Sequence, residues 1–190
     1  MARPSLYTLM IIIVILGLWE AACRYWQMPD FILPTPSRIL VTAFKETPLL
    51  VPHAGITALE IVLGIATALG LAIPLAIAMF AWPTLEKAIA PFLIASQAVP
   101  VFAIAPLLVV WLGYGIASKV LMATVIIFFP ITVSLLEGFK NCDAEYRVLF
   151  RLMGAGFGQT LKILYWPWAM PYFFAGLKVG VSVATIGAVI

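Results

Sequence analysis

Side chains that carry acid-base, nucleophilic or metal chemistry are sparse in this chain and do not gather. It has one histidine, His53, two cysteines, Cys23 and Cys142, and 8 acids against 11 lysines and arginines. A membrane-embedded enzyme acting on lipids needs paired carboxylates, histidines, or a nucleophile with its base. The acids here are scattered, His53 stands alone beside Pro52, and the cysteines lack metal-ligand spacing, so no cofactor and no metal is expected. What recurs at a useful interval lies between Glu137 and Lys162. Tyr146, Leu149, Phe150 and Met153 fall at i, i+3, i+4 and i+7, with Arg147 and Arg151 as an i, i+4 basic edge. That chemistry is contact rather than catalysis: an apolar helix face that the protein's own helix ends, the lipid surface or another subunit must cover.

The element that positions this face is a short helix. Asn141 and Asp143 are good N-caps, Ala144 to Met153 is rich in helix formers, and Gly154 offers a C-terminal stop. A second short helix is expected from Phe157 to Tyr165, running into Trp166-Pro167-Trp168, an aromatic belt of the kind found where a chain re-enters lipid.

Around this interruption the chain is 64% hydrophobic and 10% charged, with a mean hydropathy of +1.13. Soluble domains carry about one quarter charged residues. Ile61 to Leu85, Ala88 to Ser118 and Val120 to Leu136 contain no charge, and a bilayer core needs roughly 20 apolar residues per helical span. No alternation of the β-barrel kind is present, so the expected fold is an all-α membrane protein. Spans are expected at Leu6 to Ala22, Ala58 to Trp82, Ala88 to Leu112, Ile116 to Leu136 and from Ala169 onward, the last unclosed at Ile190. The first is read as an uncleaved span rather than a signal peptide, because Glu20 spoils the cleavage box before Cys23.

With the N-terminus cytoplasmic, Arg3, Lys87, Lys140, Arg147, Arg151 and Lys162 lie inside, against Arg24, Arg38, Lys45 and Lys119 outside, in keeping with the positive-inside rule. The net charge of +3 forms no basic stripe, and no nucleic-acid partner is expected. Between the first two spans, Pro29, Pro34, Pro36, Pro48 and Pro52 leave only Ser37 to Thr47 as a helix, lying in the outer interface on Ile39, Leu40, Ala43 and Phe44.

Pro74, Pro91, Pro100, Pro106 and Pro130 fall in or near spans and imply bent helices around a path. Candidate solute-path groups are Ser96, Gln97, Thr124, Thr132 and Ser134, of which Gln97, before Pro100, is the best placed. With no ionisable group assigned to mid-span, a proton- or sodium-coupled carrier is disfavoured.

Several stretches carry a family resemblance. Gly154, Leu164 and Pro167 keep the spacing of the E-A-A, three residues, Gly, nine residues, I-x-L-P signature of binding-protein-dependent ABC importer permeases, with Val148, Leu149 and Phe150 in the E-A-A places. Leu33-Pro34-Thr35-Pro36-Ser37-Arg38, Gln97-Ala-Val-Pro100 leading to Ala105-Pro106-Leu-Leu, and Leu112-Gly-Tyr-Gly-Ile-Ala-Ser-Lys119 resemble the nitrate, sulfonate and taurine type. Gly176-Leu-Lys-Val-Gly and Ala184 to Ile190 look similar to members that import thiamine-pyrimidine precursors or riboflavin.

The resemblance implies a type I ABC importer transmembrane domain in the plasma (inner) membrane of a bacterium or archaeon, with five spans visible of an expected six. Residues 1–57 are the first helix and outer segment, 58–190 the permease domain, and 137–168 its coupling loop. It implies two cytoplasmic ATP-binding subunits, an external solute-binding protein and a second copy of the permease. Tyr146, Leu149, Phe150 and Met153, with Gly154 and Pro167 holding them, are then the ATPase-coupling residues. The chain has no G-x-x-x-x-G-K-[ST] of its own. A lipid-processing enzyme or a membrane scaffold is the alternative.

Overall fold

The computed structural model describes residues 6–97 and 101–189. Backbone contacts divide the chain into two units, Met1–Gly55 and Ile56–Ile190. All regular structure among the described residues is helical.

The first unit opens with α1, Leu6–Tyr25, 20 residues whose apolar side chains are almost all exposed, as a lipid-facing span requires. Helix α2, Pro36–Lys45, has Pro36 at its first position, where the missing N–H costs nothing, and Thr35 as N-cap accepting from the Arg38 N–H. Its orphan N-terminal donors find a carboxylate: Glu20 of α1 accepts from Ser37 N at 3.0 Å and Ser37 Oγ at 2.8 Å, and also from Arg24 Nε at 2.8 Å. Arg38 pairs with Asp30.

Helix α3, Thr47–Ala81, runs 35 residues and corrects the expectation that Pro48 and Pro52 leave this stretch irregular. Pro48 sits in the first turn, where its N–H would have no intrahelical partner. Pro52 then forfeits a single bond to the Pro48 carbonyl. The helix therefore starts 11 residues before the expected Ala58.

In the second unit, α4, Pro83–Gln97, and α5, Val101–Leu112, cover the expected span from Ala88 to Leu112. Pro100 and the side chain of Gln97 lie outside the described residues. Gly113, with φ +78°, ends α5, and α6, Ile116–Lys140, follows. Half of the apolar stretch of α6 is buried, because it packs against α3, α5 and the last helix α9, Trp166–Val189. Between α6 and α9 lie α7, Ala144–Leu152, the single turn α8, Phe157–Thr160, and a π-helical turn, Leu161–Tyr165.

Lipid gives little hydrophobic drive for helix association, so the seams rely on close approach of small residues. Ala68, Ala72 and Ala123 are fully buried where α3 meets α6, and a Cβ on Gly64 would stand 2.5 Å from that of Ala123. Further along α6, Gly138, Gly176 and Gly180 admit α9: a Cβ on Gly176 would lie 2.7 Å from the Pro130 carbonyl oxygen, and one on Gly180 would lie 3.1 Å from Ile127 Cα. Helices α1, α3 and α6 are each long and apolar enough to cross a bilayer.

Candidate functional site

Helix α7 is closed at both ends by its own sequence. Asp143 Oδ1 accepts from the Glu145 N–H at 3.2 Å. At the other end Gly154 takes φ +71°, a left-handed conformation that glycine adopts without a Cβ penalty. The Gly154 N–H then reaches Arg151 O and the Ala155 N–H reaches Phe150 O, both at 3.0 Å, which completes a Schellman motif.

Two connections fix this helix on the bundle. The Trp168 indole Nε1 donates to Asn141 O at 3.1 Å, and the Tyr146 and Trp168 rings lie 5.9 Å apart, so the chain leaving α6 is tied to the chain beginning α9. A cavity bounded by Tyr146, Ile163, Leu164, Pro167 and Trp168 lies between them. Pro167 has no N–H and its ring would press on the carbonyl four residues back in a regular helix. The preceding π turn, in which the Trp166 N–H bonds Leu161 O, accommodates this.

Beneath the loop, Phe80 of α3 meets Tyr165 at 4.7 Å and Phe139 at 5.3 Å between ring centroids, and Lys140 Nζ meets Glu86 Oε1 at 2.6 Å. Cys142 is buried at the start of the loop. Burial pushes its thiol above the ordinary range, with Asp143 adding to the rise and Arg147 opposing it.

The anticipated contact face is divided by this packing. Phe150 is half-buried and Tyr146, though exposed on one side, faces Trp168 on the other, while Leu149 is 49% and Met153 73% exposed. The most exposed apolar residue of the helix is Leu152, at 81%, with Val148 beside it. Sequence reasoning passed over Leu152, although its spacing from Val148 and Leu149 is also i+4 and i+3. Two overlapping apolar stripes exist, and only tertiary packing selects the outward one.

The solute-path candidates do not converge. Thr132 is fully buried and donates to Phe128 O at 2.8 Å; Thr124 donates to Val120 O at 2.7 Å and meets the Thr67 hydroxyl in the α3–α6 seam. Ser134 faces Gly176 in the α6–α9 seam, and Ser96 donates to Leu93 O at 2.7 Å. The sequence reading that mid-span holds no ionisable group needs correction. Lys178 stands in α9 level with the midpoint of α6, whereas Glu60, 2% exposed within α3, lies 3.6 Å from Lys119 Nζ in the first turn of α6 and so at the end of the span, as the sequence reading has it. The sequence reading puts Glu60 at the joint before the second span and Lys178 early in the fifth, and the start of α9 at Trp166 rather than Ala169 sets Lys178 deeper in its helix.

A capped amphipathic helix tied between the long apolar helices α6 and α9 defines a helical membrane component with a projecting contact element. Residues 61–190 match the family described as binding-protein-dependent transport system inner membrane component, and the chain belongs to that family. It is 37% identical over 189 residues to the formylaminopyrimidine transport permease protein ThiX of Halalkalibacterium halodurans, covering 99% of this chain and 74% of that one. It is 34% identical to the riboflavin transport system permease protein RibX of Chloroflexus aurantiacus, over 98% of this chain and 70% of the other. With the taurine transport system permease protein TauC of Escherichia coli the identity is 29%, over 90% and 64%. The chain is thus a permease subunit of a binding-protein-dependent ABC importer and not an enzyme; in such systems a separate subunit hydrolyses ATP and a solute-binding protein is a further partner.

Proposed function

We propose that this permease imports a small polar solute of the thiamine-pyrimidine-precursor or riboflavin class, and that α7 is the element through which ATP hydrolysis on the partner drives it. The higher identity to the formylaminopyrimidine and riboflavin permeases than to the taurine and sulfonate ones favours the first class. One observation carries the coupling role: α7 is capped at both ends yet leaves Leu149 and Met153 exposed, so its apolar surface is preformed and uncovered. Tyr146, Leu149, Phe150 and Met153 meet a groove of the ATPase, Gly154 sets the helix's length, and Pro167 passes its displacement to α9. Residues 58–190 form the permease domain and 1–57 its leading helix and interfacial segment. The protein crosses the membrane several times with a cytoplasmic N-terminus, and two copies assemble around one path.

Leu149→Asp tests this reading by placing a charge in the docking groove. The expected result is normal membrane insertion with loss of ATPase copurification and of uptake. Retention of both overturns the coupling role.

A further inference from the structure

Lys178 stands in α9 level with the midpoint of α6, on the side turned away from the contacts with α6. Gly176 and Gly180, two residues to either side, are the positions where α9 closes on Pro130 and Ile127, near the midpoint of α6. At 3.6 residues per turn a step of two residues rotates about 200°, so Lys178 points away from both contacts. It is exposed, and among the described residues none of the ion pairs includes it.

Lys178 does not stand alone on that face. Ser182 and Thr185 follow it at i+4 and i+7 and are exposed as well. Their hydroxyls donate back to the helix, Ser182 Oγ to Lys178 O at 2.7 Å and Thr185 Oγ1 to Ser182 O at 2.9 Å. The stripe is a line of polar groups on a helix whose neighbours on the surface, Phe174, Val179 and Val183, are apolar.

Hydrocarbon is a poor environment for such a line. An ammonium at mid-membrane is strongly disfavoured, and ionisable groups there face water-filled cavities or partners. Snorkelling does not rescue it. Trp168, whose indole reaches the end of α6 at Asn141, is 10 residues away, roughly 15 Å at 1.5 Å per residue, and a four-carbon stem covers only part of that distance.

We infer that the Lys178, Ser182 and Thr185 face of α9 lines the water-filled solute path, and that the Lys178 ammonium contacts a carbonyl oxygen on the passing solute. This rests on the permease reading above and adds the wall of the path to it. The solute classes proposed above all offer such an oxygen, and a flexible point charge suits transient contact better than a tight site.

The test is made on the assembled transporter in proteoliposomes, with Cys23→Ala and Cys142→Ala as background. Single variants Ser182→Cys, Thr185→Cys, Val179→Cys and Val183→Cys are treated with a membrane-impermeant cationic methanethiosulfonate, which reacts with thiols in water. The stripe cysteines are expected to react at least ~10-fold faster than the valine controls, because thiolate forms only in water. Equal rates overturn the path assignment. In parallel, uptake of formylaminopyrimidine is measured for Lys178→Met and Lys178→Arg. Loss of uptake in the methionine variant, with the arginine variant active and ATPase copurification intact in both, supports the contact. A methionine variant that carries the solute as well as the parent overturns it. Failure of the parent to bind its ATPase is a separate result, against the permease reading itself.

Discussion

The Trp168 indole and the Asn141 carbonyl, 27 positions apart in sequence, are joined by a hydrogen bond of 3.1 Å. It closes the segment containing α7 at its base, so α7 and the start of α9 are constrained to move together. Trp168→Phe keeps an aromatic ring near Tyr146 but removes the only donor of the indole. A net loss of about 1 kcal/mol is expected, read as a fall of roughly 2–4 °C in the melting temperature of the purified protein. Unchanged melting with unchanged coupling efficiency would mean that this bond does not hold the loop.

Gly154 gives a sharper test of the same helix. Nothing lies within 4 Å of where its Cβ would be, so a methyl group there meets no steric obstacle; the cost of Gly154→Ala comes from φ +71° alone. That conformation costs an L-residue roughly 1–2 kcal/mol, and asparagine tolerates it better than alanine. The expected order of ATP-coupled uptake is glycine, then asparagine, then alanine. Equal uptake for alanine and glycine would show that the Schellman end of α7 is dispensable.

The glycines of the bundle divide into two kinds. At Gly176 an added methyl would lie 2.7 Å from a backbone oxygen of α6, which cannot swing aside, whereas at Gly70 there is open space. Gly176→Ala is therefore expected to destabilise by about 1–3 kcal/mol through overpacking. Gly70→Ala is expected to be neutral or to stabilise by up to about 1 kcal/mol, since it removes a flexible residue from a helix interior. Thermal unfolding of the two variants in one detergent distinguishes them.

Much of this molecule is legible because lipid allows so few structures. The charge-free runs located α1, α6 and most of α3, and the caps Asp143 and Gly154 located α7 to within one residue. Two kinds of information were not legible. Helix beginnings were misplaced because Pro48 and Pro52 signal a break, while within the opening turns of a long helix they cost at most one hydrogen bond. Facing was also hidden: Leu152 and Phe150 lie on the same short helix, and which of them turns outward depends on Trp168 and the π turn, which lie beyond it in sequence. Hydropathy places Lys178 only in the early part of the fifth span, while its depth becomes plain once Gly176 and Gly180 align α9 with α6.

Glu60 and Lys119 form an unequal pair. The carboxylate is 2% exposed and its Oε2 has no hydrogen-bond partner, while Lys119 reaches toward it at 3.6 Å and keeps 41% of its side chain exposed. Removing one member therefore has different consequences on each side. Lys119→Met leaves a buried carboxylate without its counter-charge, a change that costs about 3–5 kcal/mol in buried pairs. Glu60→Gln leaves a lysine that can turn to solvent or headgroups, and the expected loss is smaller, about 1 kcal/mol. In the double variant Glu60→Gln with Lys119→Met, no uncompensated charge remains, so most of the loss caused by Lys119→Met should be recovered. A double-mutant cycle read by thermal unfolding measures this directly: strong positive coupling is expected. Simple additivity of the two single changes would mean that the attraction across the 3.6 Å gap contributes nothing to holding α3 against α6.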